Sequence, residues 1–139
     1  GADKASRPAG SVETVASLTT VIEDDPIKAR RMAAGGISWY VTNMGDFYHQ
    51  MLSRNGFPQE VAAMRKAGEE HRPMPFQTND EILAAMGEKM LEETAIWGDL
   101  ETVAAGIEER RQLGVDLPVI GMPQGDPKRI EKVLGTLVS

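Results

Sequence analysis

The chain has 139 residues, 15 Lys and Arg against 21 Asp and Glu, and a net charge of −6. That size suits one domain, and the acidic balance with no basic stripe argues against a nucleic-acid partner. The absence of cysteine excludes disulfides, thiolate metal sites and a cysteine nucleophile, and fits a cytoplasmic protein.

Hydrophobic residues make up 41% and charged residues 26%, the balance of a folded chain rather than a disordered one. No apolar run approaches the roughly 18 residues of a membrane span, so no membrane partner is expected. Gly1 to Gly10 reads as a loop. Val12 to Ile22 is rich in Val and Thr, the β-branched types that suit a pleat. Neither of its faces is cleanly polar, so both are expected to be covered, as in a barrel wall.

Glu23-Asp24-Asp25-Pro26 is a helix start: an acidic cap, then Pro at the first helical position. The helix is expected to weaken at Gly35-Gly36. Ile37 to Val41 is apolar enough to be buried, and Asn43-Met44-Gly45 breaks the run. Asp46 is expected to cap a helix over 47–54, which Asn55-Gly56 ends. Pro58 opens another, with Val61, Met64 and Ala67 as its inner face. A loop follows from Glu69 to Gln77. Thr78-Asn79-Asp80-Glu81 has capping-box spacing. Ile82, Leu83 and Met86 continue a helix that Gly87 interrupts.

Thr94 to Trp97 is a short β-prone run. Gly98 breaks it and Asp99 sits at an N-cap position. Leu100, Val103, Ala104 and Ile107 recur at helical spacing, with Leu113 at the end and Gly114 as the closing residue. Leu117 to Gly121 is a second apolar run. Strand, helix, strand makes a βαβ unit, which needs a parallel sheet and a right-handed crossover. Asp126-Pro127 starts the last helix, whose apolar stripe is Ile130, Val133, Leu134, Leu137 and Val138.

The fold class is therefore α/β: about three parallel strands with helices and a helical insert. One domain or fragment spans 1–139, divided into a strand plus helix over 11–45, the insert over 46–92 and a βαβα unit over 93–139. Three βα units are less than half of an eight-stranded barrel, which takes about 250 residues.

Four places resemble a known family. They are Gly1-Ala2 through Arg7-Pro8; Val21 to Asp25 with Ala29-Arg30; Tyr40-Val41, Met44-Gly45 and Phe47-Tyr48 ending at Asn55-Gly56-Phe57; and Trp97-Gly98 through Gly114-Val115-Asp116. In this order they resemble the C-terminal part of the luciferase-like monooxygenases, in particular the branch that uses the deazaflavin coenzyme. The chain departs at Asn43, where a Gly is usual, at Asp99-Leu100, which replaces Thr-Pro, and at Pro118 inside a strand.

The resemblance implies the sixth to eighth βα units of a TIM-type barrel, with no counterpart here for the first five strands. It also implies FMN or deazaflavin at the barrel mouth, hydride transfer, and oxygen activation in some members. Much of that equipment lies on the strands without counterpart. The implied function is the C-terminal part of a flavin- or deazaflavin-dependent oxidoreductase or monooxygenase, inactive alone and holding no cofactor tightly. The alternative is a non-catalytic interaction module. The implied partners are a second copy of the chain or a complementing N-terminal barrel segment.

Each candidate residue has a plainer reading. His49 and His71 lack further ligands at helical spacing and read as surface or packed histidines, so no metal site is expected. Glu23 to Asp25 read as a cap rather than paired acids for proton work. Glu108 to Arg111 read as a solvated helix face. Trp39-Tyr40 reads as core rather than platform. Short loops at the C-terminal ends of barrel strands hold ligands, so Trp97, Gly98, Gly121 and Met122 are the cofactor-binding candidates; simple packing is their alternative. No residue is assigned a catalytic role.

Overall fold

The computed structural model describes residues 3–8, 10–70, 74, 77–121 and 127–137. Three strands, β1 (Val15–Ile22), β2 (Ala95–Gly98) and β3 (Leu117–Ile120), form one parallel sheet in the order β2-β1-β3. The described residues also form seven α-helices: α1 (Pro26–Asn43), α2 (Asp46–Arg54), α3 (Pro58–Glu70), α4 (Asp80–Met86), α5 (Glu88–Thr94), α6 (Leu100–Gln112) and α7 (Pro127–Leu137). The expected βαβ unit is present as connectivity, but β2 and β3 are not neighbours. The α6 crossover passes over β1, which stands between them. The upper half of β1, Thr19 to Ile22, pairs with β2, and its lower half, Val15 to Leu18, pairs with β3.

Local signals account for most boundaries. Asp25 caps α1, its Oδ1 accepting from the Ile27 N–H at 2.9 Å and the Lys28 N–H at 3.2 Å. Asp99 caps α6 through the Thr102 N–H at 2.8 Å. Gly114, at φ 101°, follows the last turn of α6, a conformation that favours glycine.

Several expectations are corrected. The first strand begins at Val15, not Val12. Helix α1 runs unbroken through Gly35-Gly36, both buried, and Ile37 to Val41 is helical. Glycine's entropic penalty of about 1 kcal/mol is outweighed where a buried helix packs closely. Gly45, at φ 68°, takes the N-cap position of α2, and Asp46 is the first helical residue with no capping bond. Asn79 rather than Thr78 caps α4, accepting from the Ile82 N–H at 2.8 Å. Leu113 is 74% exposed instead of closing an apolar stripe. Tyr40 is exposed too, edge-on to Trp39 and tilted against Tyr48. Of the last stripe, Val133 is buried, Leu134 is exposed, and Val138 lies outside the described residues.

Two clusters hold the sheet. The larger joins Val21 and Ala95 to buried residues of α1–α5, among them Val41, Met64, Ile82, Met86 and Leu91, with Trp97 packed on it. The smaller, on the opposite face, joins Ile96 to Val103 and Ile107 of α6, with Leu18, Ile22, Ile120 and Leu137 at its margin. Strand residues alternate between faces, so the register puts Val15, Ser17, Leu117 and Val119 on the face of Val21 and Trp97, lower down. There the helices stop. Val15 is 58%, Leu117 54% and Val119 46% exposed. The expectation that both faces of β1 are covered holds only for its upper half.

Candidate functional site

The C-terminal ends of β1 and β2 meet in one place. The Glu23 N–H donates to the Gly98 carbonyl at 2.8 Å, extending the ladder one step past Ile22. On the other side of β1 the Ile22 carbonyl lies above the end of β3, and among the described residues no strand pairs with it. Arg129 of α7 donates to it at 3.1 Å instead. Gly98 then turns the chain at φ 141°, a left-handed value that only glycine adopts readily. Any Cβ there would stand 2.9 Å from Thr102 Cγ2. The turn aims Asp99 back at the first turn of α6.

Two carboxylates here, Glu23 and Asp99, are favoured in ionised form. The Lys28 ammonium bonds the Glu23 carboxylate at 2.5 Å and keeps its pKa below the usual value. The Thr102 N–H does the same for Asp99. A lowered folded pKa means that the folded chain binds protons less readily than the unfolded one. The stabilisation is complete above the unfolded carboxylate values and fades as the pH falls through the folded ones. The melting temperature is therefore expected to drop below about pH 4.5. Asp99→Asn keeps an accepting oxygen but cannot titrate, so its drop should be shallower; an identical acid profile would refute the assignment.

A cleft of about 640 Å³ lies beside β2 and α6. Ile96, Trp97, Gly98 and Gly106 are among its apolar lining. Glu23, Asp24, Glu92, Asp99 and Glu109 supply carboxylates, and Arg110 supplies a guanidinium. Gly106 lets α6 approach closely: a Cβ there would stand 2.6 Å from Ile96 Cγ2. A smaller cleft of about 170 Å³ below it shares Ala95, Ile96 and Arg110.

Of the sequence candidates, Trp97 and Gly98 line the larger cleft. Gly121 stands apart. Ile120 pairs with Leu18 while Gly98 pairs with Ile22, so Gly121 sits about three residues lower, roughly 10 Å along the strands. It is also two strand spacings away, another ~10 Å. Met122 lies outside the described residues, as does His71. His49 contacts Arg65 and Asp46 at the surface. Among the described residues no group of His, Cys, Asp and Glu could hold a metal ion, and no helix is long and apolar enough to cross a membrane.

Sequence reasoning missed Glu92, Glu109 and Arg110. Arg110 is not on a purely solvated face: its side chain is only 23% exposed, bonds Glu109 and donates to the Glu92 carbonyl at 3.3 Å. The helical spacing of Thr102, Gly106 and Arg110 was the available signal.

The cleft does not fit a phosphate-bearing flavin. Among the described residues that line it there is no glycine-rich run of N–H groups to cradle a phosphate, and its carboxylates would repel one.

The sequence model of the luciferase-like monooxygenases matches residues 1–117. Among solved structures, the coenzyme F420 dependent tetrahydromethanopterin reductase from Methanopyrus kandleri is similar, with a TM-score of 0.63 at 22% identity. The alignment covers 96% of this chain and 37% of that one, so the chain spans little more than a third of the enzyme's length. No curated protein matches. The likeness bears out the α/β, partial-barrel class.

Proposed function

The chain belongs to the luciferase-like monooxygenase family, an oxidoreductase family, and from that membership we propose that it forms the last part of a flavin- or deazaflavin-dependent barrel. On this reading it neither holds the coenzyme tightly nor turns over substrate by itself. The family match carries the first half of the proposal. The chemistry of the cleft supports the second. Hydride transfer needs a ring held against substrate in a dry pocket, with the coenzyme's phosphate anchored. The cleft beside Trp97 offers an apolar wall but an acidic rim. The protein is expected to purify colourless, and FMN or the deazaflavin coenzyme should give no saturable fluorescence change below about 1 mM. Stoichiometric yellow protein would overturn the reading and make Trp97 and Gly98 the first residues to mutate.

A second reading rests on the uncovered lower face of the sheet. Val15, Leu117 and Val119 form an apolar strip of the kind that marks contact surfaces. A second copy, or a complementing barrel segment, would bury it. This reading predicts a dimer or larger species in light scattering at micromolar concentration. Val119→Lys should shift that species toward monomer. A wild-type protein that is strictly monomeric would refute self-association.

A further inference from the structure

We propose that helix α2 is a self-pairing surface: two copies of the chain meet along it antiparallel about a twofold axis, Asp46 of each facing the partner's Arg54. The inference is independent of the coenzyme reading and of the uncovered sheet face, because it uses residues of the helical insert and of the helix beside it.

The two sides of α2 differ. Leu52 is its buried residue, whereas Asp46, Phe47, Gln50, Met51 and Arg54 are exposed. Spacings of three and four put these five on one side of the helix, away from Leu52. The inner side rests on α1 and α3, and α1 in turn rests on β1 and β2. Strands that close a barrel add to the edges of the sheet, at β2 or β3, whereas α2 is separated from the sheet by α1. Its outer side therefore needs no open edge to exist.

That outer side is apolar at its centre. Phe47 is 69% exposed, and Met51, Met44 and Tyr40 are exposed around it. The Phe47 ring stands edge-on to Tyr48, centroids 5.3 Å apart, and the Tyr48 ring lies 4.7 Å from that of Tyr40. The row of rings thus runs from α2 onto the end of α1. Aromatic residues and Met are the types that interfaces favour over the rest of a surface.

Charge commits the face to a second copy. Asp46 opens α2 and Arg54 closes it, with Gln50 midway. Turning one helix end over end lays each Asp46 against the partner's Arg54 and Gln50 against the partner's Gln50. The surface is then complementary to itself, as a twofold interface requires, and the two helix dipoles run antiparallel. Asp46 is available for this. Arg65 Nη1 and His49 Nδ1 stand 3.7 Å from its Oδ1, beyond hydrogen-bond length, and its side chain is 75% exposed. The net charge of −6 on each copy is screened beyond about 8 Å at physiological salt. A helix of nine residues is only about 14 Å long, so the contact falls short of the ~800 Å² per partner of a stable interface, and the pairing is weak.

The test uses the whole chain. Sedimentation should show a monomer–dimer equilibrium with a dissociation constant below about 100 μM, unaltered by Val119→Lys. Asp46→Arg would set like cations together at both ends of the pair, and Arg54→Asp like anions. Each variant alone should dimerise about tenfold more weakly. An equal mixture of the two restores opposite charges at both ends, and should return to within about threefold of wild type. Gln50→Cys keeps the native charges in a chain with no other cysteine. Under mild oxidation it should form a disulfide-linked dimer about tenfold faster than Glu108→Cys, which is exposed on α6. The proposal fails if the wild type stays monomeric at about 100 μM, as it would were another segment of a barrel to cover the face. A dimer abolished by Val119→Lys belongs to the sheet face and overturns it too. So does a Gln50→Cys protein that cross-links no faster than Glu108→Cys, or a pair of variants with wild-type circular dichroism that stays weak when mixed.

Discussion

Gly98→Ala is expected to destabilise the protein by about 3 kcal/mol. Two effects add. The residue sits at φ 141°, where a side chain strains the backbone by roughly 1–3 kcal/mol. Its new Cβ would also stand 2.9 Å from Thr102 Cγ2 and 3.0 Å from Thr102 Cβ, and relieving such overlap costs about 1–3 kcal/mol. Thr102 is in the first turn of α6, whose N–H is bonded to Asp99, so it has little freedom to move away. Urea unfolding measures the total. Thr102→Ser removes the Cγ2 contact but leaves the backbone strain. In a double-mutant cycle it should recover only part of the loss. A Gly98→Ala protein within 1 kcal/mol of wild type would show that the turn adapts freely.

Leu91→Ala should cost a similar amount, about 3 kcal/mol within the usual 2–5 kcal/mol for a buried leucine. Leu91 is fully buried in the larger cluster, and its carbonyl anchors the start of β2 through the Ala95 N–H. The cavity would open between α5 and the helices around it. Leu113→Ala is the contrast. That side chain is mostly exposed, so its removal should change stability by less than about 0.5 kcal/mol. Either loss, at Gly98 or at Leu91, takes a large share of a total stability of roughly 5–15 kcal/mol. Thermal or urea unfolding of the three proteins checks the ranking. Equal effects at Leu91 and Leu113 would contradict the burial pattern.

That contrast marks how far the sequence can be read. Leu113 stood at the end of a helical apolar pattern, but it is the C-cap of α6, just past the turns that pack on the sheet, whereas Leu91 lies inside α5 against the larger cluster. The same holds for Gly35-Gly36. Intrinsic propensity weakens a helix there, but burial of the surrounding turns of α1 outweighs it.

Features decided within a few residues were legible. Asp25 and Asp99 cap their helices because the side chain reaches an N–H two or three residues on, whatever the rest of the chain does. Gly114 ends α6 for an equally local reason. The parallel α/β class followed from strand–helix–strand spacing, and the family from motifs in fixed order along the chain.

Strand order was decided elsewhere. Nothing in the spacing of β1, β2 and β3 says that β1 lies between the other two, because the ladder pairs residues about 80 to 100 positions apart. From that order follow the open edge of β2, the uncovered lower face, and the stagger that parts Gly121 from Gly98. Trp97 and Gly98 could be picked from the sequence as strand-end residues. The acidic company they keep comes from α5, α6 and the end of β1, three segments brought together only when the apolar faces of β2 and α6 close on Ile96.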